Sequence, residues 1–274
     1  MKPTNSVLSS FGTTIFEVMS RLAIEHKSIN LGQGFPDGNG PDDVRAAAHD
    51  ALDNSPNQYP PMMGIPELRK AIADHDKRFY DIDVDWQRET IVASGATEVL
   101  AAALFGLLDQ GDEIIMFEPL YDSYIPIARL VGATVKLVRL EPPHWRVPLD
   151  ELAAAFGPKT KAILINSPLN PAGKVFTCAE LDAVASLVKE YDCYAICDEV
   201  YEHIIFDNTP HTPLMTFPGM RDRCIRIGSA GKTFSVAGWK VGYGTASPGV
   251  MAPVAKAHQF LTFTTPPNLQ HAVA

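Results

Sequence analysis

The 274 residues carry 46% hydrophobic side chains and a formal net charge of -9, enough apolar content to bury one large domain, or one domain and part of a second. The acidic balance, without a basic run, argues against nucleic acid or an anionic membrane as the main partner and leaves a small-molecule ligand as the expected one. The N-terminal stretch lacks the apolar core of a signal peptide, and the longest apolar run, Val99 to Leu108, is too short to cross a bilayer, so the expected compartment is the cytoplasm. Cys178, Cys193, Cys197 and Cys224 match neither a zinc spacing nor a disulfide framework and read as reduced thiols; no metal is expected.

Along the chain, a Gly/Pro-rich arm from Gly32 to Pro41 precedes two helical stretches, Asp42 to Leu52 and Pro66 to Tyr80, set around the turn Gln58 to Gly64. These read as an accessory layer. Seven β-type segments then follow between turn signals: Thr90 to Ala93, Glu113 to Phe117, Thr134 to Val138, Lys161 to Ile165, Tyr194 to Cys197, Arg223 to Ile227 and Val241 to Ala246. Most gaps between them hold a helical pattern. Val99 to Leu108 is apolar nearly all round and predicts a buried helix, and Thr177 with Glu180 makes a capping box for a helix through Glu190. The alternation predicts an α/β fold with a mainly parallel sheet wrapped by helices. A last helix begins at Pro267-Asn268 and the sequence stops at Ala274 without a cap or polar tail, the pattern expected of a truncated chain.

In an open α/β sheet, ligands bind in the crevice beyond the carboxyl ends of the strands. Lys232 follows an apolar strand within the small-residue stretch Gly228-Ser229-Ala230-Gly231-Lys232-Thr233. A phosphate-binding P-loop ending in the same Gly-Lys-Thr would need glycine at the position of Arg226, so that reading fails. Alone, Lys232 reads first as a surface lysine in a turn; its company overturns that reading. The strand Tyr194 to Cys197 runs into Asp198-Glu199-Val200-Tyr201, bringing an acid and a phenol to a strand end where an unpaired carboxylate is costly, unless Asp198 simply caps a helix. Asn166-Ser167-Pro168-Leu169-Asn170-Pro171-Ala172-Gly173 is either a plain Pro-rich loop or a rigid turn that holds the Asn170 amide. Ser94-Gly95-Ala96-Thr97-Glu98 opens the buried helix with free N–H groups at its positive end, a capping turn or an anion cup suited to phosphate. Lys240 follows Lys232 by eight residues and is either a second cation for that anion or a surface charge.

An imine-forming lysine, a carboxylate, a phenol, an amide and a phosphate cup suit one cofactor, pyridoxal 5'-phosphate. Gly228 to Phe234 followed by Gly238-Trp239-Lys240-Val241-Gly242 resembles the lysine signature of class I aminotransferases. Asn166 to Gly173 and Asp198 to Tyr201 resemble the family's other two signatures, in the family's order, and the likeness runs from about Gly12 to the last residue. The resemblance implies the fold type I pyridoxal-phosphate transferase architecture: a seven-stranded, mainly parallel large domain with helices on both faces and an incomplete small domain. It implies an N-terminal arm over residues 1–40 and a cofactor-binding domain over 41–274, with 41–80 as accessory helices contacting the partner of a homodimer.

The same resemblance assigns roles. Lys232 would hold the cofactor as an internal aldimine and then move the proton; Asp198 would pair with the pyridine nitrogen; Tyr201 and Asn170 would bond the ring's 3' oxygen. Ser229, Lys240, Thr97 and the backbone of Gly95 and Ala96 would hold the phosphate, Tyr121 would stack on the ring, and Tyr59 would be lent to the phosphate across the dimer interface. Gly32-Gln33-Gly34-Phe35-Pro36-Asp37 and Asn57-Gln58-Tyr59 resemble segments of aminotransferases acting on glutamine, methionine or kynurenine, which places Gly34, with Asn170, beside the substrate. The implied reaction is ping-pong transfer of an amino group from methionine, glutamine or an aromatic or kynurenine-like amino acid to a 2-oxo acid. The same residues would serve a carbon-sulfur β-lyase acting on cysteine conjugates. Family members also draw an arginine for the substrate α-carboxylate from a C-terminal segment, and no arginine here takes that part by motif. A third expectation is therefore a cofactor-binding fragment with impaired catalysis.

Overall fold

The computed structural model describes residues 2–34 and 36–274. Helix α1 (Ile15–Glu25) starts at Thr14, whose hydroxyl accepts the Glu17 N–H. Then come α2 (Asp42–Asn54), α3 (Pro66–Tyr80) and the single turn α4 (Trp86–Glu89). Proline at the first position of α3 suits a site where no N–H is needed, and the helix ends on Asp81 in the left-handed region. Seven strands follow: β1 (Thr90–Ser94), β2 (Glu113–Glu118), β3 (Thr134–Arg139), β4 (Thr160–Asn166), β5 (Tyr194–Asp198), β6 (Cys224–Ser229) and β7 (Val241–Ala246). The remaining helices are α5 (Ala96–Leu107), α6 (Tyr124–Leu130), α7 (Leu149–Ala155), α8 (Cys178–Glu190), α9 (Ala230–Thr233), α10 (Pro248–Leu261) and α11 (Pro267–Val273). Among the described residues no helix is long and apolar enough to cross a membrane.

The strands form one sheet in the order β1-β7-β6-β5-β4-β2-β3. Strand β7 is antiparallel to β1 and β6, and the other pairs are parallel. That one reversal brings the start of β7 to the edge where the parallel strands end. Its register sets Val241 opposite Ser94 and Gly242 opposite Ser229.

Alternate residues of each central strand feed opposite faces, as the period-two geometry requires. Ile114, Met116, Leu164, Ile196 and Ile227 join the layer beneath α5 and α10, whereas Ile115, Phe117, Ile163, Ile165 and Cys197 pack toward α8. Helix α5 is apolar enough to be buried by both sheet and helix, with Val99, Leu100, Ala103 and Leu104 at most 2% exposed. Each such leucine or valine contributes about 1.5–3 kcal/mol by leaving water. On the far side, buried Gln270 of α11 accepts the Ile65 N–H at 2.8 Å and donates to the Thr265 carbonyl, which fastens α11 to the start of α3.

All seven predicted strands are present. The sixth differs: it runs from Cys224 to Ser229 instead of Arg223 to Ile227, because antiparallel pairing with β7 extends the ladder through Gly228 and Ser229. Lys232 is consequently not in a loop; it stands on the one-turn helix α9, tied by the Thr233 hydroxyl to the Ser229 carbonyl at 3.1 Å. Helices α1 and α10 have no counterpart in the sequence reading. α10 carries Pro253 in its interior, a breaker signal that hides its pattern, and α1 has no buried residue.

Candidate active site

The carboxyl edge of the sheet opens on a cavity of about 940 Å³. Asn170, Asp198, Tyr201, Ser229, Lys232 and Lys240 line it, and Gly95, Ala96, Thr97, Tyr121 and Gly34 complete its wall. Residues separated by up to about two hundred positions thus meet because their strands end side by side.

Asp198 is the last residue of β5 and is 8% exposed. Its carboxylate accepts the Tyr124 hydroxyl at 2.6 Å and the Val200 N–H at 3.3 Å, and among the described residues no cation is bonded to it. Burial holds its carboxyl above the usual aspartate value, against the pull of those two donors. The Asn166 amide donates to the Asp198 carbonyl at 2.9 Å and its oxygen accepts the Asn170 N–H at 2.7 Å. Asn166 therefore clamps the turn that carries Asn170 to the strand that carries Asp198.

The Lys232 ammonium nitrogen lies 5.5 Å from the centre of the Tyr201 ring. Burial, and then the charge of Lys240, hold this amine below the ordinary lysine value, with Asp198 acting in the opposite sense. The Tyr201 phenol is pushed up by burial and by the Asp198 charge. Both shifts run in the direction of the neutral form.

Lys240 precedes β7 in the left-handed region, against Gly95, whose φ is +87°. A Cβ on Gly95 would meet Lys240 Cε at 2.9 Å and Nζ at 3.1 Å; one on Gly242 would meet the Ala96 nitrogen at 2.3 Å. Glycine at both positions lets the Lys240 ammonium and the opening N–H groups of α5 share one small space, a cradle for an anion.

Several contributors had no sequence signal. Tyr124 lies 74 positions from its partner Asp198, and no spacing rule connects them. Asn166 opens the Pro-rich segment, but nothing in the sequence gives it a part apart from that loop. Phe11 to Phe16, at the start of α1, form the outer wall, with the Phe16 ring 6.4 Å from that of Tyr121. Gln33 reaches the Ser20 hydroxyl at 2.6 Å and so ties the arm to α1; Phe35 of the same segment lies outside the described residues. Tyr59 does not line this cavity: it is 83% exposed, edge-on to Phe263. Among the described residues no arginine lines the cavity.

The chain matches the family of class I and II aminotransferases over residues 26–274 and belongs to it. It is 41% identical over 269 residues to the methionine aminotransferase of Escherichia coli (strain K12), covering 98% of this chain and 70% of that protein. The solved structure of a methionine aminotransferase from Escherichia coli superposes with a TM-score of 0.96 at 40% identity, over 99% of this chain and 71% of the other. That of N-succinyldiaminopimelate aminotransferase from Mycobacterium tuberculosis gives 0.96 at 42% identity, again over 99% and 71%. Human kynurenine–oxoglutarate transaminase 1 is 39% identical over 93% of this chain and 63% of its own length. The fold is that of the type I aminotransferases, and the protein is a pyridoxal-phosphate-dependent aminotransferase acting on amino and 2-oxo acids. The residues present fit that cofactor: an anion cradle, a buried carboxylate without a cation and an amine of depressed basicity border one cavity.

Proposed function

We propose that Lys232 carries the cofactor and moves the proton, and that the donors are methionine, glutamine or aromatic and kynurenine-like L-amino acids. The observation that carries this reading is the Lys232 amine itself, which borders the cavity beside Tyr201 and is biased toward its neutral form by burial and Lys240. When bound, pyridoxal phosphate supplies an electron sink that makes the substrate α-carbon acidic. Released from the cofactor, the Lys232 amine would take the substrate α-proton as a base and give it back as an acid, a role worth about 10²–10⁴ in rate. Asp198, oriented by Tyr124 and the Val200 N–H, offers its charge to a ring N–H. Tyr201 and Asn170 hold the ring oxygen, and Asn170 with Gly34 contacts the substrate. Gly95, Ala96, Thr97, Ser229 and Lys240 bind the phosphate. Tyr121 stacks on the ring, and the wall from Phe11 to Phe16 keeps water from the proton transfer.

In the same reading residues 1–40 are an arm over the site, 41–274 the cofactor-binding domain, and 41–80 a layer contacting a second subunit. Exposed Tyr59 would serve the partner's phosphate in that homodimer. The four cysteines are free thiols, in keeping with a reducing, cytoplasmic compartment and a role in amino-acid metabolism.

The test adds pyridoxal phosphate to the protein and records the visible spectrum before and after methionine, with Lys232→Ala alongside. A Lys232-dependent band that methionine discharges, with the amino group recovered on a 2-oxo acid, is the expected result. A band that no amino acid discharges would reject transfer by this chain while keeping the cofactor site. Pyruvate and ammonia released from a cysteine conjugate, with no exchanged amino group, would replace transfer by elimination.

A further inference from the structure

Next to the cavity, but lining no part of it, two histidines from distant parts of the chain face one another beside a buried carboxylate. The Nε2 atoms of His75 on α3 and His203 after β5 are 2.8 Å apart, and Glu202 Oε1 lies 3.9 Å from His75 Nε2. We propose that His75, Glu202 and His203 bind a divalent transition-metal ion, with zinc the best match, and that the ion fastens α3 to the segment carrying Tyr201.

Geometry supports the site. The three ligand atoms lie within 4.8 Å of one another. A tetrahedral ion with bonds of about 2.0–2.1 Å needs donors roughly 3.4 Å apart, and the observed 2.8 and 3.9 Å separations bracket that distance. Small ring rotations close the difference. Two imidazoles and one carboxylate, with a position left for water, suit zinc over calcium or magnesium, which prefer all-oxygen sets.

The surroundings prepare the ligands. His75 Nδ1 is 3.3 Å from Asp76 Oδ1; a proton there fixes the tautomer that turns the Nε2 lone pair toward His203, the carboxylate-histidine arrangement that supports bound metals. The Phe79 ring centre is 4.8 Å from each imidazole and holds both in place. Glu202 is buried, accepting Arg226 on Oε2 at 2.9 Å and the Tyr243 hydroxyl on Oε1 at 3.3 Å, with the Tyr80 phenol beside it, and its Oε1 faces His75. The His75 side chain is 20% exposed, so an ion has a way in.

Charge favours a dication. Arg226 alone meets three carboxylates, Asp76, Glu199 and Glu202, at 2.5, 2.6 and 2.9 Å. With neutral histidines the cluster holds two more negative charges than positive, and a divalent ion beside Glu202 balances them. The ligands come from positions 128 apart, so no sequence motif announces the site.

The test is calorimetric titration of the cofactor-loaded chain with zinc chloride, in wild type, His203→Ala, His75→Gln and Cys178→Ser, the last removing the exposed thiol as a competitor. The proposal expects one zinc per chain, retained in Cys178→Ser and weakened about tenfold or more in each histidine variant. Cobalt(II) in place of zinc would show visible ligand-field bands that both histidine variants lose. If His75→Gln fails to fold, the surface variant His203→Ala decides alone. Absence of zinc binding by wild type, or affinity unchanged in His203→Ala, overturns the site.

Discussion

Asp198 and Glu199 leave the end of β5 one peptide apart, are 8% and 3% exposed, and meet opposite surroundings. Glu199 takes the Arg226 Nε at 2.6 Å, with His211 Nε2 at 3.2 Å, and Arg226 first, then His211, hold its carboxyl below the usual glutamate value despite burial. Asp198 turns into the cavity, receives only neutral donors, and burial holds it above its usual value. Burial alone therefore does not distinguish a working carboxylate from a structural one. The partners do: a charge the protein balances itself belongs to the fold, and one it leaves for a ligand belongs to the site.

Lys232→Ala gives the largest effect on the ligand side of this contrast. Single-turnover transfer should fall by about 10⁴-fold or more, because the proposed point of attachment and proton carrier would go together, while thermal stability stays near wild type. Ordinary transfer by the variant would remove Lys232 from the mechanism.

Arg226→Met tests the structural side. Removing the one guanidinium strands three buried carboxylates and should cost about 3–5 kcal/mol in chemical denaturation. Its pH dependence should also reverse. In the native protein the Asp76 and Glu199 carboxyls lie below their ordinary values of 3.8 and 4.5, so their contribution is complete above those values and is lost as pH falls through the folded ones. In the variant burial, the largest influence on both, is opposed by the remaining hydrogen bonds and, at Glu199, by His211, and should raise them, so stability should fall as pH rises. A variant as stable as wild type would mean that the cluster does not hold the fold.

Lys240→Gln is subtler. Losing a like charge should move the Lys232 amine back up toward 10.5, seen as an upward shift in the pH profile of amine labelling in cofactor-free protein, and should weaken cofactor binding. An unmoved profile would deny the two lysines their electrostatic coupling. Thr177→Ala, far from both carboxylates, removes the α8 capping box and should cost about 1 kcal/mol in stability with transfer unchanged.

The sequence made the strand ends legible because β-branched runs stop at turn residues, and the crevice rule then placed Asn170, Asp198 and Lys232 together. It could not show what steadies them. Tyr124 is found only across the sheet edge, and the outer wall from Phe11 to Phe16 leads into a helix without a buried residue. Arg226 was informative in a negative way: it excluded a P-loop, whereas its partner Asp76 lies 150 positions away. Local chemistry is written locally; charge balance is not.

The reversed strand has a consequence for synthesis. Among the described residues β1 is the first strand in chain order, yet its neighbour in the sheet is β7, the seventh. The nascent chain therefore carries β1 with an unfilled edge until Val241 to Ala246 emerge, on the order of ten seconds at ordinary elongation rates. The cradle at Gly95 and Lys240 is built across that same junction, so a chain in which β7 has not yet paired lacks the anion grip proposed for the cofactor.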